Sequence, residues 1–137
     1  MTPATKHALT ISVLPKLFSI CKLAADTPVP PWAKGGGFLS ITRTDAELSI
    51  VAEADVVPAD LRPDIDWRVL KVHGPFDLSA VGVLTSLVAP LAHEGISIFT
   101  ISTFDTDYLL IQSGQLQAAE AALRDAGHSI VTTERIS

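Results

Sequence analysis

Two short stretches hold the residues best suited to chemistry. The first is Ser102-Thr103-Phe104-Asp105-Thr106-Asp107, between two apolar runs. Asp107 directly precedes Tyr108-Leu109-Leu110-Ile111 and is a candidate to face a cation such as an α-ammonium group. Thr103 offers a hydroxyl, and the backbone around Phe104 offers carbonyls and amides. The second is Gly74-Pro75-Phe76-Asp77-Leu78-Ser79-Ala80-Val81-Gly82, which opens a helical pattern. Backbone N–H groups at a helix start are unpaired, and the dipole there favours an anion. A carboxylate could dock on them without a basic side chain, with Gly82 leaving room. An anion site beside a cation site is what a zwitterion requires. Each stretch also has a plainer reading: Asp77 or Ser79 capping the helix, and a solvated hairpin turn rich in turn formers.

Other chemistries find less support. There is no G-x-S-x-G and no Cys–His pairing in a recognisable context. His7, His73, His93 and His128 stand apart, without metal-ligand spacing. Gly35-Gly36-Gly37 leads into a strand and lacks the Lys-Ser/Thr that follows a phosphate loop, so it reads as a turn. Asp105 and Asp107 as an acid/base pair would be turn carboxylates facing water, which rarely acquire useful pKa shifts. No catalytic residue, metal or cofactor is expected.

The elements that must carry these stretches form a βαββαβ order. Arg68–His73 is strand-like. A helix pattern follows to His93 and stops at Gly95, with Val81, Leu84, Leu87, Val88 and Leu91 as one apolar stripe. Pro90 conflicts with it and predicts a kink or an early end. Strands Ile96–Thr103 and Tyr108–Gln112 come next, then a helix over Gln115–Ala126 with Leu116, Ala119, Leu123 and Ala126 inward. Gly127 closes that helix and strand His128–Val131 ends the unit. This predicts four strands with two helices on one face. Upstream, Leu9–Val13, Leu17–Leu23, Phe38–Arg43 and Glu47–Ala52 are strand candidates. Pro- and Gly-rich Ala24–Gly37 carries at most a turn near Pro31–Lys34, and one helical turn is expected at Ala59–Leu61. Phe38–Thr44 parallels Ile98–Phe104, so the halves read as weak repeats.

At 137 residues and 47% apolar composition the chain can build one domain or two small ones. A net charge of −5 with ten scattered Lys and Arg argues against nucleic acid. Cys21 alone makes an intrachain disulfide impossible and reads as a small core residue. Leu9–Leu14 is broken by Pro15-Lys16, so no signal peptide is expected. Ala80–Ala92 is too short and interrupted to span a bilayer. A cytoplasmic location is the expectation.

Residues Gly95–Ile111 resemble the effector-binding segment of ACT domains, the regulatory modules of aspartate kinases and other amino-acid-controlled enzymes. The likeness extends to small stand-alone bacterial proteins with two ACT modules and to cytosolic arginine sensors of animals. Ile41–Val51 and Trp67–Gly74 also fit. The resemblance implies an α+β fold of two ferredoxin-like modules, the first with reduced helices. Residues 1–64 would form the N-terminal module and 65–137 the C-terminal one, with effectors bound at module interfaces. It further implies ligand contacts by Thr103, Phe104 and Asp107, by Asp77, Leu78, Ser79, Ala80 and Val81 of the strand-to-helix loop, and by the Gly95-Ile96 turn. The expected function is a non-catalytic regulatory protein binding a free amino acid, with a homodimer or a regulated enzyme as macromolecular partner. The alternative is a ligand-free interaction or dimerisation module, which a high apolar fraction in a small chain also fits.

Overall fold

A computed structural model describes residues 8–73 and 82–132. The strands are β1 (Thr10–Val13), β2 (Phe18–Leu23), β3 (Ser40–Arg43), β4 (Leu48–Glu53), β5 (Trp67–Val72), β6 (Ile98–Ser102), β7 (Asp107–Gln112) and β8 (Ser129–Thr132). The helices are α1 (Val83–His93) and α2 (Leu116–Asp125). The result is a mixed α+β protein, with the chain divided into two compact units. One holds residues up to Pro15 together with those from Arg68 onward, and the other is Lys16–Trp67.

In the first of these units the strands lie in the order β6–β7–β5–β1–β8. Four of the five are those of the expected βαββαβ unit. The fifth, β1, comes from the amino terminus and sits between β5 and β8. It pairs antiparallel with β5 (Ile11 opposite Val72) and parallel with β8 (Ile11 opposite Ile130). The four-stranded expectation is therefore corrected to five. The boundary drawn after residue 64 assigned β1 elsewhere, whereas its backbone hydrogen bonds and its side chains Ile11 and Val13 belong with the C-terminal elements. Its four residues alternate cleanly, but alternation says which face is apolar, not which neighbour is chosen.

One face of this sheet carries the core. Ile11, Val13, Leu70, Val72, Leu109 and Ile111 pack with Leu87 and Leu91 of α1 and Ala119 and Leu123 of α2. The buried residues of α1 are Val83, Leu87 and Leu91, spaced i, i+4, i+8, while Leu84 is exposed. The stripe is rotated from the expected one because the helix begins at Val83, with Gly82 as N-cap. The helix also passes through Pro90 without ending there. At its far end the Ile96 N–H donates to the Leu91 carbonyl (3.0 Å) and the Gly95 N–H to Ala92 (3.0 Å). Gly95 has φ 74°, the left-handed conformation this closure demands and side chains resist. α2 ends the same way, with His128 N–H to Leu123 (3.0 Å) and Gly127 N–H to Arg124 (2.9 Å).

The Lys16–Trp67 unit has the antiparallel order β2–β4–β3. Short 3-10 turns at Ala54–Val56 and Ala59–Leu61 stand where the second helix of a full module would be. Its core gathers Cys21, Leu48, Ile50, Ala52, Ala33 and Val57. Burial pushes the Cys21 thiol pKa up, so the reactive thiolate is scarce. Native protein should react with Ellman's reagent at least an order of magnitude more slowly than urea-unfolded protein; equal rates would place the thiol at the surface.

Candidate functional site

The β6–β7 hairpin is built by its own turn. The Thr103 N–H donates to the Thr106 carbonyl (2.8 Å), and the Thr106 N–H donates to Thr103 Oγ1 (3.2 Å). Thr103 Oγ1 donates in turn to the Thr106 carbonyl (3.2 Å). The hydroxyl that the sequence offered to a ligand thus holds the turn together. Phe104 stands at the tip, 79% exposed.

The turn sets Ser102 opposite Asp107, and Ser102 Oγ donates to Asp107 Oδ1 at 2.5 Å. Asp107 is half-buried. Side chains alternate along a strand, so Asp107 shares its face with Leu109 and Ile111, which pack toward the helices. Ser102 was not singled out from sequence. The signal for it is the hairpin register, in which residues five apart across a four-residue turn become neighbours.

Connectivity decides what lies near this end of the sheet. α1 leaves from the carboxyl end of β5. Its 11 residues span about 16 Å, close to the roughly 20 Å of a six-residue strand. The helix therefore returns the chain to the other end of the sheet, where β6 starts. β6 then runs back, and the 103–106 turn arrives at the end where β5 stops and α1 begins. The Ser86 carbonyl, one turn into α1, meets His128, and the Leu9 N–H beside β1 meets the same ring. Because Ile11 is opposite Val72, this confirms that α1 starts at the carboxyl end of β5. Among the described residues no side chain caps α1, and its N-cap, Gly82, has none to offer. Asp107, Ser102 and the α1 start thus share one end of the sheet.

Asp77, Leu78, Ser79, Ala80 and Val81 lie outside the described residues. The N-cap role expected of Asp77 or Ser79 belongs to Gly82. Gly95 and Ile96 are described and lie at the opposite end of α1, about 16 Å away along the axis. There Gly95 closes the helix and Ile96 enters the core, 5% exposed. Within this unit the structure does not bring them to Asp107, because the helix between them is as long as the sheet.

The other unit repeats the hairpin. The Thr44 N–H donates to the Glu47 carbonyl (2.9 Å), and the N–H groups of Ala46 and Glu47 donate to Thr44 Oγ1 (3.0 and 3.2 Å). Arg43 faces Leu48 as Ser102 faces Asp107. The equivalence therefore matches Thr44 with Thr103, one residue out from the sequence alignment. At the position of Asp107 this hairpin has Leu48, which is fully buried. The glycine run of this unit cradles an internal anion, since the Gly37 N–H donates to Glu53 Oε2 at 3.0 Å. Gly36 has φ 82°, and a Cβ there would stand 2.9 Å from the Glu53 carboxyl carbon. Gly36→Ala should cost about 1–2 kcal/mol for the left-handed backbone, read as a lowered urea midpoint; an unchanged midpoint would show that this turn is not fixed.

These features define a ferredoxin-like α+β module with an inserted amino-terminal strand. A family model described as an ACT domain matches residues 63–125, and one described as an N-terminal domain matches residues 16–60. The X-ray structure of an Agrobacterium tumefaciens protein is 41% identical, with TM-score 0.89, covering 96% of this chain and 98% of that one. The chain thus carries an ACT domain in residues 63–125. A curated mouse relative, cytosolic arginine sensor for mTORC1 subunit 1, is 26% identical over 131 residues, covering 85% of this chain. The chain spans 38% of that relative's length. An aspartate kinase from Clostridium acetobutylicum shares the fold at 13% identity and TM-score 0.61, over 85% of this chain and 34% of its own. Among the described residues, no helix is long and apolar enough to cross a membrane.

Proposed function

We propose that this chain is a non-catalytic regulatory protein whose C-terminal ACT module binds a free amino acid. Asp107 takes the α-ammonium group, and the open amides of the α1 start take the α-carboxylate, with residues 77–81 completing that side. The observation that carries the reading is Asp107 itself. It is a half-buried carboxylate on the helix-side face, oriented by Ser102, at the same end of the sheet as a helix start that no described side chain caps. A carboxylate so held is well suited to a charge-assisted hydrogen bond. The ACT-domain match over residues 63–125 supports a regulatory, ligand-binding role, and the name of the mouse relative supports an amino acid as ligand and a cytosolic setting. The N-terminal hairpin carries Leu48 where Asp107 stands, which favours one such site per chain.

Binding would stabilise the ligand-competent arrangement, and a partner enzyme or second copy would read the change. The test is a melting scan with each of the twenty amino acids. A ligand at a hundred times its dissociation constant stabilises by about 2.7 kcal/mol, so one or a few should raise Tm clearly. Flat melting temperatures across the panel would remove the reading. The ligand-free alternative draws on the exposed Phe104 and on Val131, 50% exposed on β8. A concentration-dependent dimer in sedimentation, with no response to amino acids, would select it.

A further inference from the structure

One buried side chain outside the candidate site bridges two segments distant along the chain. His128, 5% exposed, precedes β8. Its Nδ1 accepts from the Leu9 N–H at 3.1 Å, and its Nε2 lies 2.9 Å from the Ser86 carbonyl oxygen. A backbone N–H can only donate and a carbonyl can only accept, so the ring carries its hydrogen on Nε2 and its lone pair on Nδ1. The Ser86 carbonyl is the one that residue 90 would serve within the helix, and residue 90 is proline, which has no N–H. The proline inside α1 and the buried imidazole are thus two halves of one arrangement: the first frees an acceptor and the second fills it.

We propose that Pro90 and His128 form a clasp that fixes the early turns of α1 to the start of the amino-terminal strand. Its consequence for ligand binding rests on the function proposed above, because the clasped turn is the one that offers its amides. In that role His128 is a positioning residue, acting through Ser86 rather than touching the ligand. The clasp also accounts for two deviations from the sequence expectation, a helix that continues past Pro90 and a β1 held among the C-terminal elements.

The test is a double-mutant cycle in the full chain, using His128→Leu, Pro90→Ala and both together, read by amide hydrogen exchange. His128→Leu should speed exchange at Leu9 and at Ser86 and Leu87 by at least about tenfold, the local opening that a lost clasp permits. Pro90→Ala gives the Ser86 carbonyl a donor of its own, so in that background His128→Leu should disturb α1 much less. His128→Gln, whose amide can donate and accept, should preserve slow exchange and also serves if His128→Leu does not fold. Unchanged exchange in His128→Leu, or equal effects on α1 in both backgrounds, would overturn the clasp. If an amino acid binds the wild type, His128→Leu should weaken it about tenfold; normal affinity alongside fast α1 exchange would overturn the positioning role. If no amino acid binds the wild type, the proposed function fails while the exchange cycle still decides the clasp.

Discussion

Asp107→Ala is expected to abolish the stabilisation conferred by whichever amino acid the melting scan identifies. At a hundredfold excess over its dissociation constant that stabilisation is about 2.7 kcal/mol, on the order of 10 °C for a chain of this size. The carboxylate is the only acidic side chain of the hairpin that shares the helix-side face and is half-buried among the described residues. An ammonium ion leaving water needs that charge to replace its hydration, and alanine supplies nothing in its place. Asp105 is the internal control. It lies in the same turn, two residues away, and is exposed, so Asp105→Ala should leave the response near normal. The Ser102→Ala change should weaken the response without eliminating it, since it removes the group that orients Asp107 and keeps the charge. An Asp107→Ala protein with an undiminished shift would move the site away from this hairpin.

Leu91→Ala should cost about 2–5 kcal/mol of folding stability, as expected for a fully buried leucine whose neighbours relax only partly. Leu91 does double work: its side chain is in the core with Leu87, Leu109 and Leu123, and its carbonyl accepts the Ile96 N–H that closes α1. Only the first is lost in alanine, so the loss is one of packing. Leu84→Ala, on the same helix but 36% exposed, should stay within about 0.5 kcal/mol. Urea titration of the two variants separates them. Similar midpoints would contradict the rotated stripe, because the sequence pattern had placed Leu84 and Leu91 on one buried face.

The largest gains of structure over sequence came from side chains whose partners are distant along the chain. Leu9 and His128 are 119 residues apart, and neither a lone histidine nor a strand start announces the other. Glu53 occupies the concavity of Gly36 and Gly37, so the glycine run that read as a plain turn also binds a carboxylate. Thr103 illustrates the reverse. Both readings of it were visible in the sequence, and the backbone chose the turn-forming one because the Thr106 N–H and carbonyl lie within reach of its hydroxyl.

What the sequence alone determined is local in physical origin. The βαββαβ order from β5 to β8 follows from apolar periodicity, and the ends of both helices follow from Gly95 and Gly127, which supply the left-handed residue that closes a helix. The hairpin turns follow from short polar segments flanked by apolar strands. Each depends on residues only a few positions apart, and their energies favour the same structure before any tertiary contact forms. Tertiary structure alone decided where β1 inserts, which face of α1 is buried, and that the Asp107 face of its strand is the one turned toward the helices. Those outcomes depend on which strand offers a free row of backbone hydrogen bonds and where the helix begins relative to the sheet, and neither quantity is a property of any short stretch of residues.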